Sequence, residues 1–313
     1  MPSPATSATI DRLRAAVRTV LTGKDEVIDL LLVGLLGGGH VLIEDVPGVG
    51  KTTLAKALAR ALDVRFTRVQ FTPDLLPTDI LGSQVLDPRQ GTFAFHPGPI
   101  FTNVLLADEI NRASPRTQSA LLESMNEAQV TIDGVTRELP APFFVVATQN
   151  PADYQGTYPL PEAQLDRFLL RIAVGYPSPE AELDMLVARR AADPITDVRA
   201  VCAEDEVLRL QDEVRRIDVK EPVARYLLAV VAATRRLERL ELGVSPRGAL
   251  AFYRATQARA FLLGRDYVSP ADVRALAIPV LAHRVKLAAT TRHGGMTAEA
   301  VIEDVLSHIA VPT

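Results

Sequence analysis

The stretch Glu44-Asp45-Val46-Pro47-Gly48-Val49-Gly50-Lys51-Thr52-Thr53 joins an apolar, β-branched run, His40-Val41-Leu42-Ile43, to a segment with Leu54, Leu58, Ala61 and Leu62 at helical spacing. Strand, loop and helix therefore follow in the order of a phosphate-binding loop. In such a loop the glycines let backbone N–H groups turn toward an anion, and the helix N-terminus adds a favourable dipole. Gly48, Val49, Gly50 and Thr53 would form the cradle, Lys51 would reach the β- and γ-phosphates, and Thr52 would offer its hydroxyl to Mg2+. The strict pattern wants glycine where this chain has Asp45. Asp tolerates left-handed backbone better than most residues, so the turn is expected to survive, with a carboxylate near phosphates working against nucleotide affinity. The alternative is an ordinary Gly/Pro-rich turn between strand and helix.

A second landmark follows about sixty residues on. Asn103-Val104-Leu105-Leu106-Ala107-Asp108-Glu109 is an apolar strand that delivers two acids at its carboxyl end, where ligands sit in open α/β sheets. Asp108 is placed to hold Mg2+ together with Thr52, and Glu109 to polarise an attacking water. Phe143-Phe144-Val145-Val146-Ala147-Thr148 is another buried strand, closing in Gln149-Asn150-Pro151. Asn150 either hydrogen-bonds the γ-phosphate or the water, or makes an Asx turn set by the following proline.

Composition bounds the remaining choices. At 313 residues, 48% hydrophobic and 23% charged, the chain has ordinary globular composition with room for two domains. Lys plus Arg number 34 and Asp plus Glu 38, a net charge of −4, so no global field draws nucleic acid or anionic lipid. Before Ser178 there are 15 basic and 19 acidic residues, and from there on 19 of each. Cys202 is the single cysteine, which removes intrachain disulfides and points to a reducing compartment. The start, Met1 to Ser7, is polar and small, with no apolar core of signal-peptide length, and no apolar run has the length of a transmembrane helix, so the expectation is a soluble cytoplasmic protein with no membrane insertion. The five histidines have no metal-site spacing.

Along the chain, residues 10–36 read as two helices broken at Thr22-Gly23, and Arg65 begins a second strand. Residues 80–86 and 92–96 flank the turn-like Asp87-Pro88-Arg89-Gln90-Gly91, and a second hairpin surrounds Asp133-Gly134. Ser114-Pro115 starts a helix between them. Asp166-Arg167-Phe168 precedes a last apolar strand, after which Pro177 and Pro179 mark a boundary. Beyond it helical signals dominate: Leu183, Leu186 and Val187, then Val223 and Leu227, then helices opened by Ser245-Pro246, with Gly264 at the end, and by Ser269-Pro270. The expected fold is α/β, a parallel sheet flanked by helices with β-hairpin inserts over residues 1–177, followed by a small all-helical domain over residues 178–313.

The order of these parts resembles the AAA+ ATPases, and within them the MoxR family. Family-like wording stands in Asp45-Val46-Pro47-Gly48-Val49-Gly50-Lys51-Thr52, Gly98-Pro99-Ile100-Phe101, Ala107-Asp108-Glu109-Ile110-Asn111-Arg112, Gln129-Val130-Thr131-Ile132-Asp133-Gly134, Ala147-Thr148-Gln149-Asn150-Pro151 and Leu165-Asp166-Arg167-Phe168. Members of the family resemble one another in lacking the first glycine, as this chain does at Asp45. The resemblance implies a P-loop AAA+ core and a lid domain, ATP and Mg2+ as cofactors, Lys51, Thr52, Asp108 and Glu109 as the Walker residues, and Asn150 as sensor 1. It further implies that Arg167 is an arginine finger and Arg247 a sensor 2 residue, serving its own or a neighbour's site; for either arginine taken alone, a structural salt bridge is the alternative. Gly23, Val20 and Thr22 are similar to an adenine-side segment.

An arginine supplied by a neighbouring subunit accelerates phosphoryl transfer by about 10³ to 10⁵. A ring, most simply a hexamer, with nucleotide at each junction is therefore expected. The resemblance implies a chaperone-like ATPase that remodels or matures partner proteins, with a von Willebrand factor A-type partner and a protein client. Competing readings are a nucleic-acid motor, disfavoured by hairpin tips of mixed charge, the ATPase subunit of a magnesium-chelatase-like complex, and a nucleotide-dependent scaffold, against which Glu109 argues.

Overall fold

In the computed structural model, which describes residues 4–312 apart from 22, 47, 90, 151–155, 181 and 184–193, the five apolar runs form one parallel sheet. The readings placed on Thr22, Pro47, Pro151, Leu186 and Val187 lie outside the described residues. Helices α1 (Pro4–Arg18) and α2 (Asp25–Leu36) come first, parted at Gly23, whose φ of 77° suits glycine. Strand β1 (Val41–Glu44) leads into α3 (Lys51–Ala61), and α3 into β2 (Phe66–Gln70). A short helix α4 (Pro77–Leu81) carries a hairpin of β3 (Gly82–Asp87) and β4 (Thr92–Pro97). Then come β5 (Val104–Asp108), α5 (Pro115–Glu127), a second hairpin of β6 (Gln129–Ile132) and β7 (Val135–Glu138), β8 (Phe144–Gln149), α6 (Glu162–Leu165) and β9 (Leu170–Ile172).

The sheet order is β2-β5-β8-β1-β9. The chain leaves β1 for one edge of the sheet and leaves β8 for the other, so the winding reverses between these adjacent strands, and a crevice opens at their carboxyl ends. Their register pairs Glu44 with Gln149, which sets the loop after β1 beside Asn150. Side chains alternate between two buried faces. Val41, Ile43, Leu106, Val146 and Ile172 pack with α1, α2 and α3, while Leu42, Leu105, Ala107 and Val145 pack with Phe71, Leu121, Leu122 and Phe168. Fully buried aromatics such as Phe144 and Phe168 contribute roughly 2–3 kcal/mol each.

The hairpin at Asp133-Gly134 turns through two left-handed residues, φ 51° and 77°, as its sequence predicts. It meets the first hairpin where the Arg137 guanidinium lies 3.9 Å above the Phe95 ring, itself edge-on to Phe101. Gly98 is required by close approach: a Cβ there would stand 2.2 Å from the Ile80 carbonyl oxygen.

The remaining described chain is mainly helical: Glu204–Arg215, Glu221–Thr234, Pro246–Leu262, Pro270–Leu281 and Ala298–His308 are its longer helices. Ser245 caps its helix by accepting the Gly248 N–H at 2.9 Å, Ser269 and Asp272 form a capping box, and Gly264 closes the first of these helices at φ 73°. A two-stranded antiparallel ribbon, Leu240–Leu242 with Lys286–Leu287, is added to the helices. The apolar faces of these helices share one core with α1 and α2, and Gln211 donates to the Leu35 carbonyl at 2.7 Å. No helix among the described residues is long and apolar enough to cross a membrane.

Candidate functional site

The loop after β1 makes its left-handed turns at Gly48 (φ 89°) and Gly50 (φ 95°), the latter capping α3. The turn survives without a glycine at position 45, and Asp45 does not use the left-handed region its type tolerates. Its carboxylate instead accepts the Val46 N–H at 2.7 Å and, across the crevice, the Gly175 N–H at 2.6 Å. The residue that departs from the glycine pattern thus ties β1 to the segment after β9. Lys51 is 8% exposed, and its Nζ donates to the Asp45 carbonyl at 2.5 Å and to Asn150 Oδ1 at 3.4 Å. Burial holds its pKa below the ordinary lysine value, against the opposing pull of Asp45, Asp108, Glu109 and Glu44.

The two acids are positioned by a buried hydroxyl on the neighbouring strand. Thr148 Oγ1 donates to Asp108 Oδ1 at 2.6 Å and accepts the Glu109 N–H at 2.8 Å. Glu109 is left-handed at φ 56°, a conformation costing a non-glycine residue roughly 1–2 kcal/mol. The strain turns the chain out of the sheet, so that consecutive acids face one cavity instead of opposite sides of a strand. The Glu109 carboxylate accepts from Asn150 Nδ2 at 3.2 Å, Gln70 Nε2 at 3.0 Å and Arg112 at 2.9 Å. Asn150 therefore bridges Lys51 and Glu109.

Of these groups, Lys51, Asp108, Glu109 and Asn150 line a cavity of about 560 Å3, bounded also by Val20, Leu21, Gly50, Thr52, Thr53, Arg68 and Tyr176. Its size suits a nucleotide-sized ligand. Among the described residues no group of three or more His, Cys, Asp or Glu is arranged to hold a metal. The buried Asp108 carboxylate and the Thr52 hydroxyl share the cavity. That hard-oxygen donor set fits Mg2+, which keeps several waters and takes phosphate oxygens as further ligands.

Arg167 and Arg247 stand apart: neither lines the cavity. The Arg167 guanidinium has no ion-pair partner among the described residues, and Arg247 donates to Asn126 Oδ1 at the end of α5. The two positions flank one hydrogen bond, from Ser245 Oγ to Asp166 Oδ2 at 2.8 Å. The buried Arg284 donates to Asp166 Oδ1 at 2.8 Å and to the Phe168 carbonyl, fixing this segment from below. Burial lowers the Arg284 pKa to about 10, with Asp166 opposing the shift.

Comparison with known proteins identifies the fold and the family. The family model of ATPases associated with various cellular activities matches residues 40–170, and that of the AAA lid domain residues 232–305. The chain is 42% identical over 313 aligned residues to Chaperone MoxR1 of Mycobacterium tuberculosis, covering 97% of this chain and 82% of that one. It belongs to the MoxR family of AAA+ ATPases. It is also similar to the uncharacterized protein YeaC of Bacillus subtilis, 48% identical over 296 residues, covering 95% of this chain and 92% of that one. A crystal structure from Cytophaga hutchinsonii, provisionally assigned as an ATPase, superposes with a TM-score of 0.91 at 38% identity, covering 99% of this chain and 96% of that one.

Several residues at the site of this MoxR-family chain escaped the sequence reading. Thr148 stands in a motif quoted for Asn150, and nothing in its type distinguishes it from any strand threonine. Arg68 and Gln70 did carry a signal, two long polar side chains two apart near the carboxyl end of a strand, hence on one face. Tyr176, 75% exposed, and Lys24, which donates to the Tyr176 carbonyl at 2.7 Å, also line the cavity.

Proposed function

We propose that this AAA+ ATPase hydrolyses ATP with Mg2+ at the crevice between β1, β5 and β8, and does so within a ring, most simply a hexamer. The observation that carries the proposal is the convergence of the loop at residues 48–53 with Asp108, Glu109 and Asn150 on one cavity, while Arg167 and Arg247 lie off it in the same chain. The loop N–H groups and Lys51 bind the phosphates, Thr52 and Asp108 hold the metal ion, and Glu109 takes a proton from the attacking water. Mg2+, when bound, supplies charge neutralisation across the β- and γ-phosphates. Asn150 orients the Glu109 carboxylate and the Lys51 ammonium toward each other, and Thr148 holds the acids in place. Arg167 and Arg247 then complete the site of a neighbouring subunit.

The division into a nucleotide-binding core over residues 1–177 and a lid over residues 178–313 belongs to the same proposal. The chaperone name of the Mycobacterium tuberculosis relative supports a remodelling or maturation role toward a protein client; a von Willebrand factor A-type partner and a cytoplasmic location are further parts of the proposal. The test is Mg2+-dependent ATP hydrolysis against protein concentration, with particle size followed in parallel. Specific activity that rises as rings form is expected. A concentration-independent rate from a monomer would overturn the ring.

A further inference from the structure

Asp108 already has a cation beside it. Arg68 Nε and Nη2 both donate to Asp108 Oδ2, at 3.1 and 2.6 Å, while Oδ1 receives the Thr148 hydroxyl. Arg68 stands on β2, the edge strand, in register with Leu106, so it reaches diagonally across to the acid two residues further along β5. Its side chain is 46% exposed, against 11% for that of Asp108, and it lines the same cavity as Lys51 and Asn150. Nη2 also donates to Gln70 Oε1 at 3.1 Å, and Gln70 passes the connection on to Glu109.

We propose that Arg68 gates the metal: its guanidinium holds Asp108 Oδ2 and gives it up only to a divalent cation that arrives with a polyphosphate. The inference rests on Asp108 being the metal-holding acid. A guanidinium and a divalent cation compete for one carboxylate oxygen, and two positive charges at that distance in a sheltered crevice repel strongly. A bare cation must displace Arg68 with nothing in exchange. A cation bound to a polyphosphate brings the anion that receives the released guanidinium, whose planar fork fits phosphate as well as carboxylate. The exposed side chain can swing into the cavity without disturbing the sheet. Metal and nucleotide are thereby coupled: each is held more tightly when the other is present.

The test is Mn2+ binding to the full chain, read by the electron paramagnetic resonance of free Mn2+, without nucleotide and with ADP. It is made for wild type, Arg68→Ala, Arg68→Lys and Asp108→Asn. For wild type, Mn2+ alone is expected to bind weakly and ADP to tighten it. Arg68→Ala is expected to bind Mn2+ alone at least tenfold more tightly than wild type and to lose most of the tightening by ADP. Arg68→Lys, which keeps the charge without the fork, falls between, and it carries the comparison if the alanine variant fails to fold by circular dichroism. Unchanged Mn2+ affinity in the Arg68 variants, with Asp108→Asn weakening Mn2+ binding in the presence of ADP, overturns the gate and leaves Asp108 as metal ligand. If Asp108→Asn leaves Mn2+ binding with ADP intact, the metal role of Asp108 fails and the gate with it.

Discussion

The carboxyl ends of β1, β5 and β8 and the segment around Arg167 and Arg247 both bear charged groups assigned to one reaction, yet the first set converges and the second does not. In the first, short side chains on adjacent parallel strands are locked by a buried threonine and a strained glutamate, and they meet within hydrogen-bond distance. In the second, long arginines are anchored through their neighbours, Asp166 and Ser245, and their own guanidinium groups stay off the cavity. The difference teaches that the converging half of the proposed site is a product of one chain's folding, whereas the two arginines lie off the cavity of their own chain, as the proposed ring requires.

The sharpest way to break that contrast is Arg167→Ala. Under conditions where rings form, it is expected to lower turnover by about 10³-fold or more while ATP binding stays intact. Retained turnover would return Arg167 to a structural role. Glu109→Gln attacks the other half, with an expected loss of about 10² to 10⁴ in kcat and tight ATP binding preserved. Because its site is within the chain, mixing Glu109→Gln with Arg167→Ala should restore some activity at junctions that receive one intact half from each. Two inactive proteins that stay inactive when mixed into common rings would contradict the division.

A third expectation concerns acid. His40, just before β1, accepts the Val145 N–H at Nδ1 and donates from Nε2 to the Met125 carbonyl, next to the Asn126 that receives Arg247. Burial lowers its pKa from 6.5 to about 4. The unfolded chain therefore takes up the proton first, so the contribution of neutral His40 is fully present above about pH 6.5 and is lost as the pH falls toward 4. The loss is at most about 3 kcal/mol. Burial shifts His283 in the same direction. Thermal unfolding between pH 4 and 7 should show a smaller acid loss for His40→Gln than for wild type; equal slopes would refute the assignment.

The smallest effect is expected from Thr148→Val, which keeps shape and deletes the hydroxyl shared by both acids. A cost of about 1–3 kcal/mol is expected, as lower kcat with little change in ATP affinity. Thr148→Ser should recover most of it. If Thr148→Val lowered affinity and stability without touching kcat, the hydroxyl would serve packing alone.

Much of this was legible in the chain because strand-end chemistry is local. Apolar runs ending in Asp108-Glu109 or Gln149-Asn150 announce buried strands with polar tips, and the turns at Gly48, Gly50 and Asp133-Gly134 are dictated by residues that tolerate positive φ. That the turn survives Asp45 was legible, but the role of its carboxylate was not, because the Gly175 N–H that claims it lies 130 residues away. Arg68, Thr148 and Arg284 were missed for the same reason: their roles depend on strands or helices that are distant in sequence.

The amino-acid sequence by itself determined which elements form, in what order, and which side chains stand at their ends, since hydrophobic period, caps and turn residues act over a few positions. Only the tertiary structure decided which of those ends face one another. Sheet order put Arg68 on Asp108, brought Lys51 and Glu109 to Asn150, and left Arg167 and Arg247 outside the cavity. The physical reason is that a charged side chain takes its partner from whatever the packing of the core brings within a few ångströms, and that packing belongs to the whole chain.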